Sequence, residues 1–383
     1  MTKLKITSLL FLLILIHSFT GCGNNAAYKP YVPLAHEMCD ISSWDLVSEI
    51  QVGWNLGNSL DTQHYDGLYA ETAWGNPVTT FKMIKTVSNA GFDSVRVPVT
   101  WQQHLGESPD YLIDEEWLNR VEEVVGYVLT TGMFCILTTH HEDWIFPDCE
   151  NEQQNTEQLT AVWKQISERF KDYNEKLIFA GMNEPRLIGT DDEWNGGTPE
   201  AHEIVSRLNK AFIDTVRSTG GRNELRHLLI PSYAASSEEV AMIAFSNTFP
   251  HDEDKIIALI NSYTPYNFTL NTSGTDKWAP SVHELEIDWL FESLKEHLLD
   301  KDIPVIIGET GALNKKGNLE SRIAWTSYYF DKARELGIPV FWWDNGVFDK
   351  NISGIEVLGL LDREQVEFAF PEIVDAIMGK KRF

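Results

Sequence analysis

The chain has 383 residues, 43% of them hydrophobic, which is ample for a large buried core. Lys and Arg number 31 against 57 Asp and Glu, a formal net charge of -26. A field of that sign repels nucleic acid and anionic polymers and favours a neutral partner.

The first 21 residues read as an export signal. Lys3 and Lys5 precede an unbroken apolar run, Leu9–Ile16, which is too short to span a bilayer as a mature helix. Gly21 before Cys22 matches the bacterial lipoprotein cleavage pattern, so Cys22 is the expected lipidation site, with plain secretion as the alternative. The expected location is therefore outside the cytoplasm, with the membrane touched only through that N-terminal lipid. Residues 22–40, rich in Asn, Ala and Pro, read as a tether to one domain over 41–383. Of the remaining cysteines, Cys135 sits in an apolar run and reads as a buried thiol, while Cys39 and Cys149 are free to pair or not.

Within the domain, strand and helix signals alternate. Eight short apolar runs are expected strands: Val52–Asn55, Ser94–Val97, Phe134–Thr139, Leu177–Met182, Leu228–Ile230, Ile256–Ile260, Pro304–Ile307 and Ile338–Trp343. Helical spacing fills Glu115–Thr130, Leu159–Tyr173, Ala201–Ser218, Val282–Leu299 and Glu320–Leu336; Val121, Val124, Val125 and Val128 mark one apolar stripe. Eight such units predict an α/β fold, a single (β/α)₈ TIM barrel with right-handed crossovers. A doubly wound sheet is the alternative, but no GxGxxG follows the first strand.

Polar residues cluster just beyond these strands, on the face where a barrel carries its chemistry. They are Asn55 after the first strand, Arg96 in the second, His140 and His141 after the third, and Asn183 and Glu184 after the fourth. Asn261 and Tyr263 follow the sixth, Glu309 the seventh, and Trp342 and Trp343 close the eighth. Two carboxylates facing one cleft are the minimum machinery for cleaving a glycosidic bond. His140-His141-Glu142 lacks metal-ligand spacing, and no metal or cofactor is expected. Trp74, Trp101, Trp144 and Trp194 fall in loops on the same side and are candidate sugar platforms.

The segments GWNLGNSLD, ETAWGNP, RVPVTW, HHED, MNEPR, SYTPYNF, GETGA and FWWDNG, in this order, resemble glycoside hydrolase family 5 (cellulase family A), in particular its endo-β-1,4-glucanase and xyloglucanase branch. The resemblance runs from about residue 45 to the C-terminus and implies a retaining hydrolase of β-glucan polysaccharide that needs no metal; we expect a monomer. It casts Glu184 as proton donor and base and Glu309 as nucleophile. Arg96 resembles the arginine beside the nucleophile, and its charge is expected to keep Glu309 ionised. Asn183 resembles the amide that contacts the sugar 2-OH, His140 and His141 sugar contacts, and Tyr263 the tyrosine that touches the nucleophile. Trp342 or Trp343 resembles the platform beneath the sugar, with Trp342 the favoured one. The sequence departs from the family where Asn261 replaces the usual His two residues before the tyrosine. A neutral amide there predicts an altered pH profile. Rival readings are an endo-β-mannanase or xylanase, or a catalytically silent glycan-binding barrel.

Overall fold

The computed structural model describes residues 30–33, 38–315, 317–348 and 356–380. The leader and Cys22 lie outside the described residues, as does much of the tether.

Eight parallel strands close into a barrel in sequence order: β1 (Val52–Leu56), β2 (Ser94–Val99), β3 (Phe134–Thr139), β4 (Leu177–Ala180), β5 (Leu228–Ser236), β6 (Ile256–Asn261), β7 (Val305–Thr310) and β8 (Val340–Asp344), with β8 paired to β1. A short hairpin, β9 (Leu361–Asp362) and β10 (Glu367–Phe368), follows. Every one of the eight expected strands is present, with ends moved by a few residues. The helices are α1 (Ser43–Glu49), α2 (Phe81–Ala90), α3 (Glu115–Thr130), α4 (Glu152–Phe170), α5 (Pro199–Ser218), α6 (Glu239–Thr248), α7 (Tyr266–Thr269), α8 (Pro280–His297), α9 (Leu319–Leu336) and α10 (Pro371–Ile377). No helix of the described residues is long and apolar enough to cross a membrane.

Successive strand side chains point to opposite faces, which sorts the core into two layers. Inside the barrel lie Phe134, Ile136, Ile178, Ala180, Leu229, Ile257, Leu259, Ile306 and Phe341. Between barrel and helices lie their sequence neighbours, such as Val95, Cys135, Leu137, Phe179 and Trp342, together with the α3 stripe of Val121, Val124, Val125 and Val128. Burying each such valine contributes roughly 1.5 kcal/mol or more. The N-terminal mouth is closed by α1, which inserts Leu46 and Val47, with Ile50 just after it, into the inner layer. Its start is fixed by Ser42, whose hydroxyl accepts from the Asp45 N–H while Asp45 reaches back, a cap contributing about 1 kcal/mol.

Beneath β5, Arg226 is fully buried and donates to the carbonyls of Phe170, Tyr173, Asn174 and Leu177, stitching the end of α4 to the start of β4. Polar groups at this N-terminal end serve stability, which leaves the opposite rim for chemistry. Cys39 and Cys149 are exposed and unpaired, and Cys135 is buried and unpaired.

Candidate active site

Arg96 is the hub. It projects from β2 into the barrel mouth with no exposure to solvent. Its Nη1 donates to Glu309 Oε1 at 2.8 Å and to Asn55 Oδ1 at 3.0 Å, and its Nη2 donates to Asn183 Oδ1 at 2.6 Å. Asn55 itself is buried and donates to the carbonyl of Gly308, so it steadies the arginine from within the sheet. Tyr263 gives its hydroxyl proton to the other Glu309 oxygen at 3.2 Å. Burial, with the nearby Glu309 charge, pushes the Tyr263 phenol well above its usual range, so it stays a donor.

Strict alternation along β7 would turn Glu309 outward, because Ile306 faces in and Ile307 faces out. The ladder to β6 shifts instead: Ile260 pairs with Ile307, and Asn261 pairs with Glu309, leaving Gly308 as an extra residue. Such a bulge re-aims the next side chain. Gly308 is needed there, since a Cβ would lie 2.4 Å from Leu259 Cδ1 and 3.1 Å from Asn261 Oδ1.

Glu184 lies beyond β4 in the same rim. Asn261, the last residue of β6, donates from Nδ2 to Glu184 Oε1 at 2.9 Å, with a longer 3.5 Å contact to Asn183 Oδ1. A continuous path therefore runs Glu309–Arg96–Asn183–Asn261–Glu184. Arg186, which the sequence reading passed over, pairs with Glu184 Oε2 at 3.6 Å; its position two residues beyond the candidate acid was the one available signal.

The carboxyls differ in setting. Glu309 is 5% exposed, and desolvation pushes it up to about 7; Arg96 and the Tyr263 hydroxyl pull it down, and the Glu184 charge adds to the rise. Burial thus works against the charge that Arg96 is expected to hold on Glu309, and the two act on the same carboxyl. His140 and His141 are driven down by burial and by neighbouring cations, His141 to about 4, so both are neutral near pH 7.

The tryptophan assignment is corrected. Trp342 faces the helices, is fully buried, and donates Nε1 to the Leu358 carbonyl, so it is a core residue. Trp343 points into the barrel mouth, and its ring lies parallel to His140 at 5.2 Å. Gly57 makes room, because a Cβ there would lie 2.7 Å from the Trp343 indole. Trp74 is 37% exposed and lies 5.9 Å from His141, at the cleft edge. Trp101 is fully buried and offers no platform. Trp144 is half-buried and bonded to Glu142, and Trp194 is exposed.

A cavity of about 280 Å³ over these groups is lined by His140, His141, Asn183, Glu184 and Arg186 among others. A larger one of about 750 Å³ lies beside α3 and the Pro30–Tyr31 segment, away from this convergence. Asp61, His140 and His141 offer ligand atoms within 4.8 Å of one another. The fit to a metal is poor: the Asp61 carboxylate already accepts the Asn58 and Ser59 N–H groups, and the Arg96 and Arg186 charges act on the imidazoles.

Comparison with known proteins follows the same lines. The family model described as cellulase (glycosyl hydrolase family 5) matches residues 59–349. The chain is 49% identical over 347 residues to endoglucanase A of Ruminococcus albus, covering 89% of this chain and 93% of that protein. A GH5-4 broad specificity endoglucanase from Ruminococcus champanellensis, solved with bound cellotriose, superposes with a TM-score of 0.85 at 44% identity, covering 90% of this chain and 100% of that one. A GH5 xyloglucan-specific endo-β-1,4-glucanase from a metagenomic library, also with cellotriose, gives 0.82 at 42% identity, covering 88% and 98%.

Proposed function

The chain belongs to the cellulase family, glycosyl hydrolase family 5, and from that premise we propose that it is a retaining endo-β-1,4-glucanase acting on cellulose-like, mixed-linkage or xyloglucan chains. The observation that carries this reading is the single hydrogen-bonded path joining Glu309 to Glu184 across the barrel mouth. Glu309, oriented by Arg96 and Tyr263, attacks the anomeric carbon and forms a glycosyl ester. Protonated Glu184 supplies the departing oxygen with its proton. Esterification removes the Glu309 charge, and Glu184 then takes a proton from the water that hydrolyses the ester. Double displacement calls for carboxyl groups roughly 5 Å apart. In this reading Asn183 bonds the sugar 2-OH, and Trp343, stacked against His140, is the floor beneath the sugar.

Glu184→Gln and Glu309→Gln are each expected to abolish release of reducing ends from soluble β-glucans while retaining binding. Persistent hydrolysis in either variant overturns the role assignment. A panel of glucan, mannan and xylan separates this reading from the mannanase and xylanase alternatives. We also propose export with lipid attachment at Cys22; Cys22→Ala would then release the protein from the membrane fraction, and unchanged partition would refute it.

A further inference from the structure

Arg186 stands outside the strand-borne network. It lies on the loop after β4, two residues past Glu184. Its Nη1 donates to the Glu184 carbonyl at 3.1 Å and sits 3.6 Å from Glu184 Oε2. Its Nε donates to Glu193 Oε1 at 3.0 Å. Its guanidinium lies over the Trp194 indole, 4.4 Å from the ring centroid. Glu193 in turn accepts the Gly189 N–H at 2.8 Å, and that bond, with the arginine, holds its carboxyl below the ordinary range. The guanidinium is therefore gripped by a carboxylate and stacked on an indole before it meets Glu184. A planar cation fixed in this way loses little freedom when it pairs.

Glu184 has two oxygens and two unlike partners. Oε1 meets the neutral Asn261 amide, and Oε2 faces Arg186. Among the described residues, Arg186 is the one cation paired with Glu184. Removing it would leave one oxygen without a protein partner and the carboxyl free to turn about its last bond.

We propose that Arg186, clamped by Glu193 and Trp194, is a positioning residue that orients the Glu184 carboxyl toward the leaving oxygen and faces the charge left there once the proton has gone. This rests on Glu184 being the acid/base. Glu193 and Trp194 act one step further out, by holding the guanidinium. The loop thus controls proton delivery while the strands control the nucleophile.

The test compares kcat/KM of the full chain for phenyl and dinitrophenyl β-cellobiosides. A phenoxide needs the proton as it leaves; a dinitrophenoxide does not. Arg186→Met is expected to lower kcat/KM for the phenyl substrate at least about ten-fold and for the dinitrophenyl substrate less than about two-fold. Arg186→Lys restores only part of the phenyl activity, because the charge returns without the planar fork that Glu193 and Trp194 hold. Glu193→Gln gives a smaller loss with the same dependence on leaving group. An equal fall on both substrates in Arg186→Met and Glu193→Gln would reduce the arginine to a loop tie or sugar contact, and no fall in either would leave it without a role; both overturn the proposal. Glu184→Gln, run alongside, should show the same split on a larger scale, with azide rescuing turnover of the dinitrophenyl substrate. If Glu184→Gln lacks that split, the acid/base reading itself fails; if it has the split and Arg186→Met does not, only the present inference fails.

Discussion

Glu309→Gln should gain folding stability relative to the wild type as pH rises from 4 to 8, and the size of the change follows from where the carboxyl sits. Desolvation raises Glu309 from 4.5 to about 7 despite the Arg96 contact. Each pH unit is worth about 1.4 kcal/mol, so the rise corresponds to about 3–4 kcal/mol. The folded carboxyl holds its proton more tightly than the unfolded one, so the folded state binds more protons between roughly pH 4.5 and 7. The wild type therefore loses stability as pH rises through that window. Gln cannot ionise and is spared the loss. Urea unfolding of both proteins at pH 4 and pH 8 measures this directly. The difference in unfolding free energy should move in favour of Glu309→Gln by about 3–4 kcal/mol between the two pH values. A difference that stays constant, or that moves toward the wild type, would mean that pairing with Arg96 outweighs burial, and the electrostatic account of the nucleophile would be wrong.

Four further variants have expected outcomes. Asn261→His places a titratable ring against Glu184 and should move a limb of the kcat/KM pH profile by about one unit; an unchanged profile sinks the idea that Asn261 matters for acidity. Trp343→Ala should raise KM several-fold, from loss of about 1 kcal/mol of stacking, beside a folding cost from its packing on Leu313 and Leu358. Trp342→Ala should cost about 3–5 kcal/mol of folding stability and leave KM of the folded protein unchanged, and the opposite pattern in KM would restore Trp342 as the platform. Gly308→Ala forces a methyl against Leu259 and Asn261, so it should cost about 1–3 kcal/mol and reduce activity at least ten-fold by turning Glu309; full activity would show that the bulge does not aim the nucleophile.

Much of the barrel was legible because parallel strands covered on both faces read as short apolar runs, as Phe134–Thr139 does. The polar residues at their ends were legible for the same reason: Arg96 and Asn261 interrupt or end such runs, and nothing apolar explains them. Orientation was less legible. Two adjacent tryptophans carry no mark of which one faces inward; the pairing of Asn55 with Trp343 decides it, and that register is a property of the closed sheet. The plug helix α1 has seven residues and gains its stability from the barrel mouth it fills, so its own sequence is a weak signal. Trp101 was placed near the cleft by its position after β2, yet tertiary packing buries it completely.

The two carboxyls are held by different kinds of structure, and this bears on which mutations the reaction tolerates. Glu309 is fixed by groups on or next to strands: Arg96 on β2, Tyr263 just beyond β6 and the bulge at Gly308 on β7. Moving any of them means moving the sheet. Glu184 is fixed from one side by Asn261 at the end of β6 and from the other by a loop residue, Arg186, whose own anchors Glu193 and Trp194 belong to that loop. Loops accept changes in length and sequence more readily than barrel strands. Substitutions in the 187–197 segment should therefore alter the proton-transfer step with little effect on nucleophilic attack. Substitutions behind β7 should impair both steps of the double displacement, because each passes through the glycosyl ester at Glu309.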